Sequence, residues 1–237
     1  MKIAVCITTR NRVDVFNKAM MMHRVFLPDN ARLFIVDDNS DAPAILSAGF
    51  WSGESWYRSS ENIGIPKAKN KCIELAMDWG ADHIFLFDDD CWPIQDGWSD
   101  LYINNKEPHL MYQFKLDGKN KKNMQIVAQE KDIIAYSHTR GAMLYMTKKV
   151  INTVGGFDIG YGAGMYEHTD FTNRVYNNGL TTYRAMDVID SSDYLYCLDQ
   201  DGKVESSIPT KTRDNNLKKN HNKYLYSKTS KEYKGYR

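Results

Sequence analysis

Short unbroken apolar runs, each ending on polar or acidic residues, alternate along the first half of the chain with stretches in which apolar residues recur every three or four positions. Residues 3–8, 33–36 and 84–87 form the runs, and strands buried on both faces of a parallel sheet read this way. Between the first two, Phe16, Ala19, Met20 and His23 stand at i, i+3, i+4 and i+7. This spacing predicts a helix with one buried face, capped by Asn11 with Asp14 and ended by Pro28. Ala68, Cys72, Leu75, Ala76 and Trp79 mark a second helix, entered through Pro66 and closed by Gly80. A short strand is expected at 56–58. Strands and helices in alternation with short links predict a parallel sheet with right-handed crossovers. Its loop-bearing edge would gather residues 8–12, 37–41 and 88–90.

The second half is mixed. Residues 110–116 and 124–129 read as extended runs joined by a hairpin turn at Asp117-Gly118-Lys119-Asn120-Lys121-Lys122, with further strands at 133–136 and 142–146. Glycines cluster at Gly155-Gly156 and at Gly160, Gly162 and Gly164, just before a helix expected from Glu167 to Asn178 and closed by Gly179. Glu167, Asp170, Phe171 and Arg174 share one face of that helix. The acids either favour the helix dipole, with an internal Asp170–Arg174 pair, or belong to a site over which the glycine loop closes. No repeat or linker divides the chain, so one domain is expected over 1–202, with halves at 1–105 and 106–202, followed by an extension at 203–237. In the extension Lys211, Arg213, Lys218, Lys219, Lys223, Lys228, Lys231, Lys234 and Arg237 outnumber Glu205, Asp214 and Glu232. Such a run is either a solvated tail or a clamp for an anion; Tyr224, Leu225, Tyr226, Tyr233 and Tyr236 give it anchors.

Composition narrows the class. With 42% hydrophobic residues in 237, the chain supports one sizeable core. A net charge of +1 gives the whole molecule no strong nonspecific pull toward nucleic acid or anionic membrane. The four cysteines, Cys6, Cys72, Cys91 and Cys197, form no CxxC pair, which argues against a zinc site or disulfide framework. Arg10 and Arg12 come too early for a signal-peptide core, and no stretch nears the roughly 18–20 apolar residues of a membrane span. A soluble protein of the cytoplasm is expected.

The strongest chemical signal is Ile84-Phe85-Leu86-Phe87-Asp88-Asp89-Asp90-Cys91-Trp92-Pro93. Three consecutive carboxylates at the carboxyl end of a buried strand raise one another's pKa unless a cation shares them. That is the place where α/β proteins put ligands. A hard divalent metal with oxygen ligands accounts for the arrangement most simply; the competing account is a solvated acidic turn or a helix cap.

Five segments in order then resemble the GT-A fold glycosyltransferases of the family-2-like group over residues 3–179: Thr8-Thr9-Arg10-Asn11-Arg12, Val36-Asp37-Asp38-Asn39-Ser40, Asn62-Ile63-Gly64 with Lys69-Asn70, the DxD-type Asp88-Asp89-Asp90, and Gly155-Gly156-Phe157-Asp158 leading to Glu167-His168-Thr169-Asp170. The resemblance implies an α/β GT-A fold: a Rossmann-like, mainly parallel central sheet with helices on both faces, a donor-binding first half, a mixed acceptor-side half, and the basic extension. It implies a metal-dependent glycosyltransferase moving a sugar from a nucleotide diphosphate sugar, a UDP-sugar first. Mn2+ or Mg2+ would be held by Asp88 and Asp90, with His221 as a further ligand. The donor would meet Thr8, Thr9, Arg10, Arg12, Asp37, Asp38, Asn62, Gly64, Lys69, Asn70, Asp88 and Asp89. The catalytic base would be His168, Glu167 or Asp170, because the sequence has His168 where inverting members commonly carry an Asp.

The acceptor is expected near Trp92, Trp98, Tyr161 and Tyr166, and would be a glycan, a lipid-linked sugar or modified DNA, with peripheral membrane contact through the basic tail. Two other accounts stand beside this one. A sugar-phosphate nucleotidyltransferase uses the same carboxylate logic but usually a Gly-rich first loop, which residues 8–12 lack. A non-catalytic carbohydrate- or nucleic-acid-binding protein would use Trp51, Trp56, Trp92, Trp98 and some of the fifteen tyrosines as stacking platforms.

Overall fold

The computed structural model describes residues 1–114, 124–201 and 209–237. The turn expected at 117–122, the end of the 110–116 run, Lys203 and Glu205 lie outside these.

The first half alternates as β1 (Ile3–Thr9), α1 (Val13–Val25), β2 (Ala31–Asp37), α2 (Ala44–Ala48), β3 (Glu54–Arg58), α3 (Ile65–Trp79) and β4 (His83–Asp88). Then come β5 (Cys91–Pro93), α4 (Trp98–Ile103), β6 (His109–Met111), β7 (Ile126–Gln129), β8 (Ile133–Tyr136), β9 (Met143–Thr147) and α5 (Lys148–Val154). The chain continues through α6 (Glu167–Asn177), β10 (Ala185–Val188), α7 (Ser191–Tyr194), β11 (Leu195–Cys197) and α8 (Thr210–Ser227). The main sheet has the order β3-β2-β1-β4-β9-β6, parallel from β3 to β4 and antiparallel at β9 and β6. Small sheets of β10-β8-β7 and β11-β5 complete the second half. No helix among the described residues is long and apolar enough to cross a membrane.

The period of two along each strand divides the core. Val5, Ile7, Phe85 and Phe87 face α1 and α4, meeting Phe16, Met20, Trp98 and Tyr102. Ala4, Cys6, Ile84 and Leu86 face the other way, onto Cys72, Ile73 and Ala76 of α3 and Phe171 and Val175 of α6. All four cysteines are buried and free.

Several expectations give way. Asn11 does not cap α1: its backbone is left-handed (φ 52°), its N–H donates to Ser40 Oγ, and its Oδ1 accepts from the Asp41 N–H. Helix α1 stops at Val25, before Pro28 can end it. The buried face of α3 is turned toward Lys69 and Ile73, leaving Leu75 and Trp79 only partly covered. Trp92 and Trp98 are core residues rather than platforms.

The core also holds two histidines. His109 places Nδ1 2.7 Å from the Tyr145 carbonyl and Nε2 3.0 Å from Thr172 Oγ1, so the neutral ring donates at Nδ1 and accepts at Nε2. Burial, opposed only by that carbonyl, lowers its pKa from 6.5 to about 4; burial lowers that of His23 to about 3. The unfolded chain therefore binds more protons than the fold below pH 6.5. The contribution of these two histidines to stability is complete above that value and drains as pH falls, by up to about 1.4 kcal/mol per unit per histidine. Buried Asp89 and Asp187, both pushed up to about 7, act in the opposite sense, so the test compares variants. Between pH 7 and pH 5 His109→Gln is expected to lose less stability in urea unfolding than the unaltered protein, and an equal change in the two would contradict the assignment.

Candidate active site

The order of strands reverses at β1, with β2 on one side and β4 on the other, and an open α/β sheet binds ligands in the crevice this creates. Thr8 pairs with Asp88 and Thr9 with Asp37 at the carboxyl ends. A cleft of about 250 Å³ opens there, and Thr8, Thr9, Arg10, Arg12, Asp38 and the three aspartates line it.

Two cations serve the three carboxylates of the run, Arg12 for Asp89 and Asp90 and Lys69 for Asp88. Asp89 accepts from Thr9 Oγ1 at 2.7 Å and from Arg12 Nη1 at 2.7 Å, while Arg12 Nη2 reaches Asp90 Oδ2 at 2.9 Å. Burial pushes the Asp89 acid up to about 7 against the pull of Arg12, with Asp90 adding to the push. Burial pulls the Arg12 guanidinium down, and Asp89 and Asp90 together more than offset it. Asp88 is more open, with a side chain 37% exposed, and its Oδ1 lies 3.1 Å from Lys69 Nζ. Lys69 is buried, not on an outer face, and also faces Glu167 Oε1 at 3.8 Å. It thus links the aspartate run to the start of α6.

At that start His168 Nδ1 lies 3.3 Å from Glu167 Oε1. Burial raises the Glu167 acid, but the hydrogen bond and charge of His168, followed by Lys69, outweigh it and hold the pKa at about 2. Glu167 Oε2 has no hydrogen-bond partner. Asp170 is committed elsewhere: it takes Arg174 Nε at 2.9 Å and the Tyr161 hydroxyl at 3.3 Å, all buried. It is the internal helix pair, and the structure does not bring it to the cleft as a base.

Other expected donor contacts divide similarly. Asp38 accepts from the Ile63 and Gly64 N–H groups at 2.7 and 3.0 Å, which sets the Asn62–Gly64 segment beside the cleft. Asp37 instead spends its oxygens on the N–H groups of Ser40 and Ala44, shaping the loop from below. Asn70 is used up as well, donating to the Phe157 carbonyl and accepting from the Phe157 N–H.

A second, larger cavity of about 1000 Å³ adjoins the first, and Met165 and Arg213 line both. His168, Thr169, Tyr166 and His221 are in its wall. His221 thus stands in the wall of the larger cavity rather than among the residues that line the smaller cleft, with its Nδ1 3.1 Å from the Tyr166 hydroxyl. Tyr161 is buried and lines neither cavity. Asp199, Met165 and Arg213 complete the first cleft without having been singled out for it. Asp199 follows β11 in a turn with no motif, and Arg213 was one basic residue among many.

Among the described residues no three His, Cys, Asp or Glu side chains are grouped as a metal cage. The donor set suits a cation shared with a ligand instead. Asp88 and Asp90 each commit one oxygen to a cation of the protein, leaving one hard oxygen apiece, and Mg2+-like ions are commonly held by one or two carboxylates with substrate phosphates and water.

The fold is of the GT-A type, the one shared by the glycosyltransferases to which the chain is similar. No family model matches the chain. In sequence it is 28% identical over 199 residues to an uncharacterized glycosyltransferase of Acanthamoeba polyphaga mimivirus, covering 79% of this chain and 75% of that protein. Among solved structures it is similar to S. aureus TarS 1-349 in complex with UDP (TM-score 0.59, 14% identity, 95% of this chain and 72% of that one). GalNAc-T7 with UDP, GalNAc and Mn2+ gives a TM-score of 0.62 at 11% identity over 79% of this chain and 42% of that one. The mannosyltransferase PcManGT of Pyrobaculum calidifontis, in complex with GDP-Man and Mn2+, gives 0.56 at 11% identity over 76% of this chain. The present chain spans 53% of that mannosyltransferase's length. At these identities the structural likenesses establish the fold.

Lys69 supplies the test of this geometry. Lys69→Met leaves Glu167 buried without its lysine and Asp88 without its ion pair. The expected loss is roughly 3 kcal/mol in urea unfolding, the lower end for a broken buried pair because Asp88 keeps some water. A loss within experimental error would show that Lys69 does not neutralise them.

Proposed function

We propose that this protein transfers a sugar from a nucleotide diphosphate sugar, a UDP-sugar first, bound in the smaller cleft to a hydroxyl of an acceptor in the larger cavity, with His168 as general base. The observation that carries the reading is the junction of the two cavities at Met165 and Arg213, with His168 in the wall of the second and the aspartate run in the wall of the first. The UDP, GDP-Man and Mn2+ bound by proteins of the same fold support it.

Arg10 and Arg213 offer charge to a diphosphate in the smaller cleft, and Arg10 Nε is buried without a partner. A divalent cation on Asp88 and Asp90 would supply electrostatic stabilisation for charge developing on the leaving diphosphate. Glu167 receives the N–H at His168 Nδ1, which fixes the tautomer and leaves Nε2 as the proton acceptor. The acceptor oxygen bonds to the anomeric carbon as the bond from that carbon to the phosphate oxygen breaks. The hydroxyl proton passes to His168 Nε2, the nucleoside diphosphate departs, and the anomeric centre inverts. The imidazolium that results sits beside the Glu167 carboxylate, which stabilises it.

Two measurements test the reading. UDP with Mn2+ is expected to raise the melting temperature of the full chain, and Asp90→Ala to abolish the rise. If no nucleotide with either metal shifts it, the donor assignment fails. His168→Ala should keep that shift while lowering kcat by about 10²–10⁴-fold, the usual contribution of general-base catalysis; an undiminished kcat would remove His168 from the chemistry.

A further inference from the structure

The larger cavity has an unusual charge balance. Arg184, Arg213 and Lys228 line it together with His138, His168 and His221, and no aspartate or glutamate does so among the described residues. Behind the wall Glu167 is occupied by Lys69 and His168, and Glu130 by the Tyr183 hydroxyl and Lys106. The smaller cleft, a few residues away, is the reverse: its arginines are matched by aspartates.

One end of the cavity is built rather than merely basic. The Arg184 guanidinium lies 4.8 Å from the centre of the Tyr176 ring and donates through Nη1 to Asn173 Oδ1 at 3.3 Å. It makes no salt bridge among the described residues. Asn173 is 3% exposed, and its Nδ2 has no hydrogen-bond partner among the described residues. An unmet buried donor costs about 1–3 kcal/mol. Here it stands beside a positioned guanidinium, so the unused hydrogen-bonding capacity at this end consists of donors. Tyr136, Tyr176 and Tyr183 supply flat faces around them.

We infer that the larger cavity recognises an acceptor saccharide carrying an oxyanion, a carboxylate or a phosphate, and that Arg184 and Asn173 are its specificity-determining residues. A guanidinium and an amide N–H side by side match the paired oxygens of either group. A polynucleotide fits less well, because it needs a basic track along its backbone, whereas these cations are gathered in one cavity on a chain of net charge +1. This inference rests on the larger cavity being the acceptor site. It adds the acceptor's charge and the residues that read it.

The test is direct binding to the full chain, by calorimetric titration in the presence of UDP and Mn2+. The probes are a neutral galactose trimer, a trigalacturonate, a mannose trimer bearing a 6-phosphate, and a twelve-residue oligodeoxythymidylate. At least one anionic trimer is expected to bind at least about tenfold more tightly than the neutral one, in keeping with hydrogen bonds to charged groups. Which of the two binds identifies carboxylate or phosphate. Arg184→Gln should erase the preference and Asn173→Ala should reduce it, with the UDP–Mn2+ thermal shift of each variant certifying its fold. Equal binding of neutral and anionic trimers, no binding by either anionic trimer, a preference that survives Arg184→Gln, or tighter binding of the oligonucleotide would each overturn the inference. If the thermal shift persists in those cases, only the acceptor class is lost. If it is absent from the unaltered protein, the donor assignment has failed independently.

Discussion

Carboxylates buried at the carboxyl edge of a sheet must each be given cations or hydrogen-bond donors, and the architecture of this protein follows from how that is done. Asp89, Asp90, Glu167 and Asp170 are all buried. Left unpaired, such groups would take up protons or resist burial altogether. Three cations answer them, each from a different helical element: Arg12 at the entry to α1, Lys69 within α3, and Arg174 within α6. Helices on opposite faces of the sheet are thereby tied to the end of β4. Arg174 extends the lattice, because Nη1 and Nη2 donate to the Val154 and Gly156 carbonyls, while Asn70 holds the backbone of Phe157. The glycine segment is thus fixed from two helices, and through it the position of Glu167.

This lattice explains which parts of the fold were legible in the sequence. Apolar runs that stop at Asp37 and Asp88 announce strands whose ends meet at a binding edge, and the chain folds that way because the apolar runs of both strands are buried. Phe16, Ala19, Met20 and His23 mark their helix face correctly, since nothing polar competes for it. The burial of Lys69 and Asn70 in α3 is not announced by their polar side chains. Their burial becomes intelligible only once Asp88, Glu167 and the Phe157 backbone are brought alongside, contacts that lie across 19, 98 and 87 positions of the chain. The Asp170–Arg174 pair was visible as a spacing, but whether it served the helix or the site depended on Tyr161 and the carbonyls of Val154 and Gly156.

The C-terminal segment is where composition was least informative. Its lysines and asparagines suggest a solvated tail, yet α8 packs against the glycine loop and the residues that follow it through a stripe of Asn220, His221 and Tyr224. The stripe is largely polar and so escapes a search for apolar periodicity. Tyr224 stacks on Tyr166 with ring centroids 4.9 Å apart, and Lys223 pairs with Asp158 at 2.9 Å. Tyr226, by contrast, is almost wholly exposed and anchors nothing.

The most consequential residue of that stripe is Asn220. Its buried amide donates to the carbonyls of Tyr161, Gly164 and Met165 at 3.0, 2.6 and 3.3 Å. Immediately afterwards Met165 and Tyr166 adopt left-handed backbone in succession, at φ 72° and 71°, a conformation that costs residues with a β-carbon and persists only where surrounding contacts enforce it. The strained pair delivers Met165 to the junction of the two cavities and starts α6, so that Glu167 and His168 emerge facing Lys69 and the larger cavity. Strain at the loop, the amide of Asn220 and the ion pairs of β4 therefore act on the same two residues from opposite sides. A basic helix that looks dispensable in the sequence supplies one of the two restraints that hold the proposed base in place.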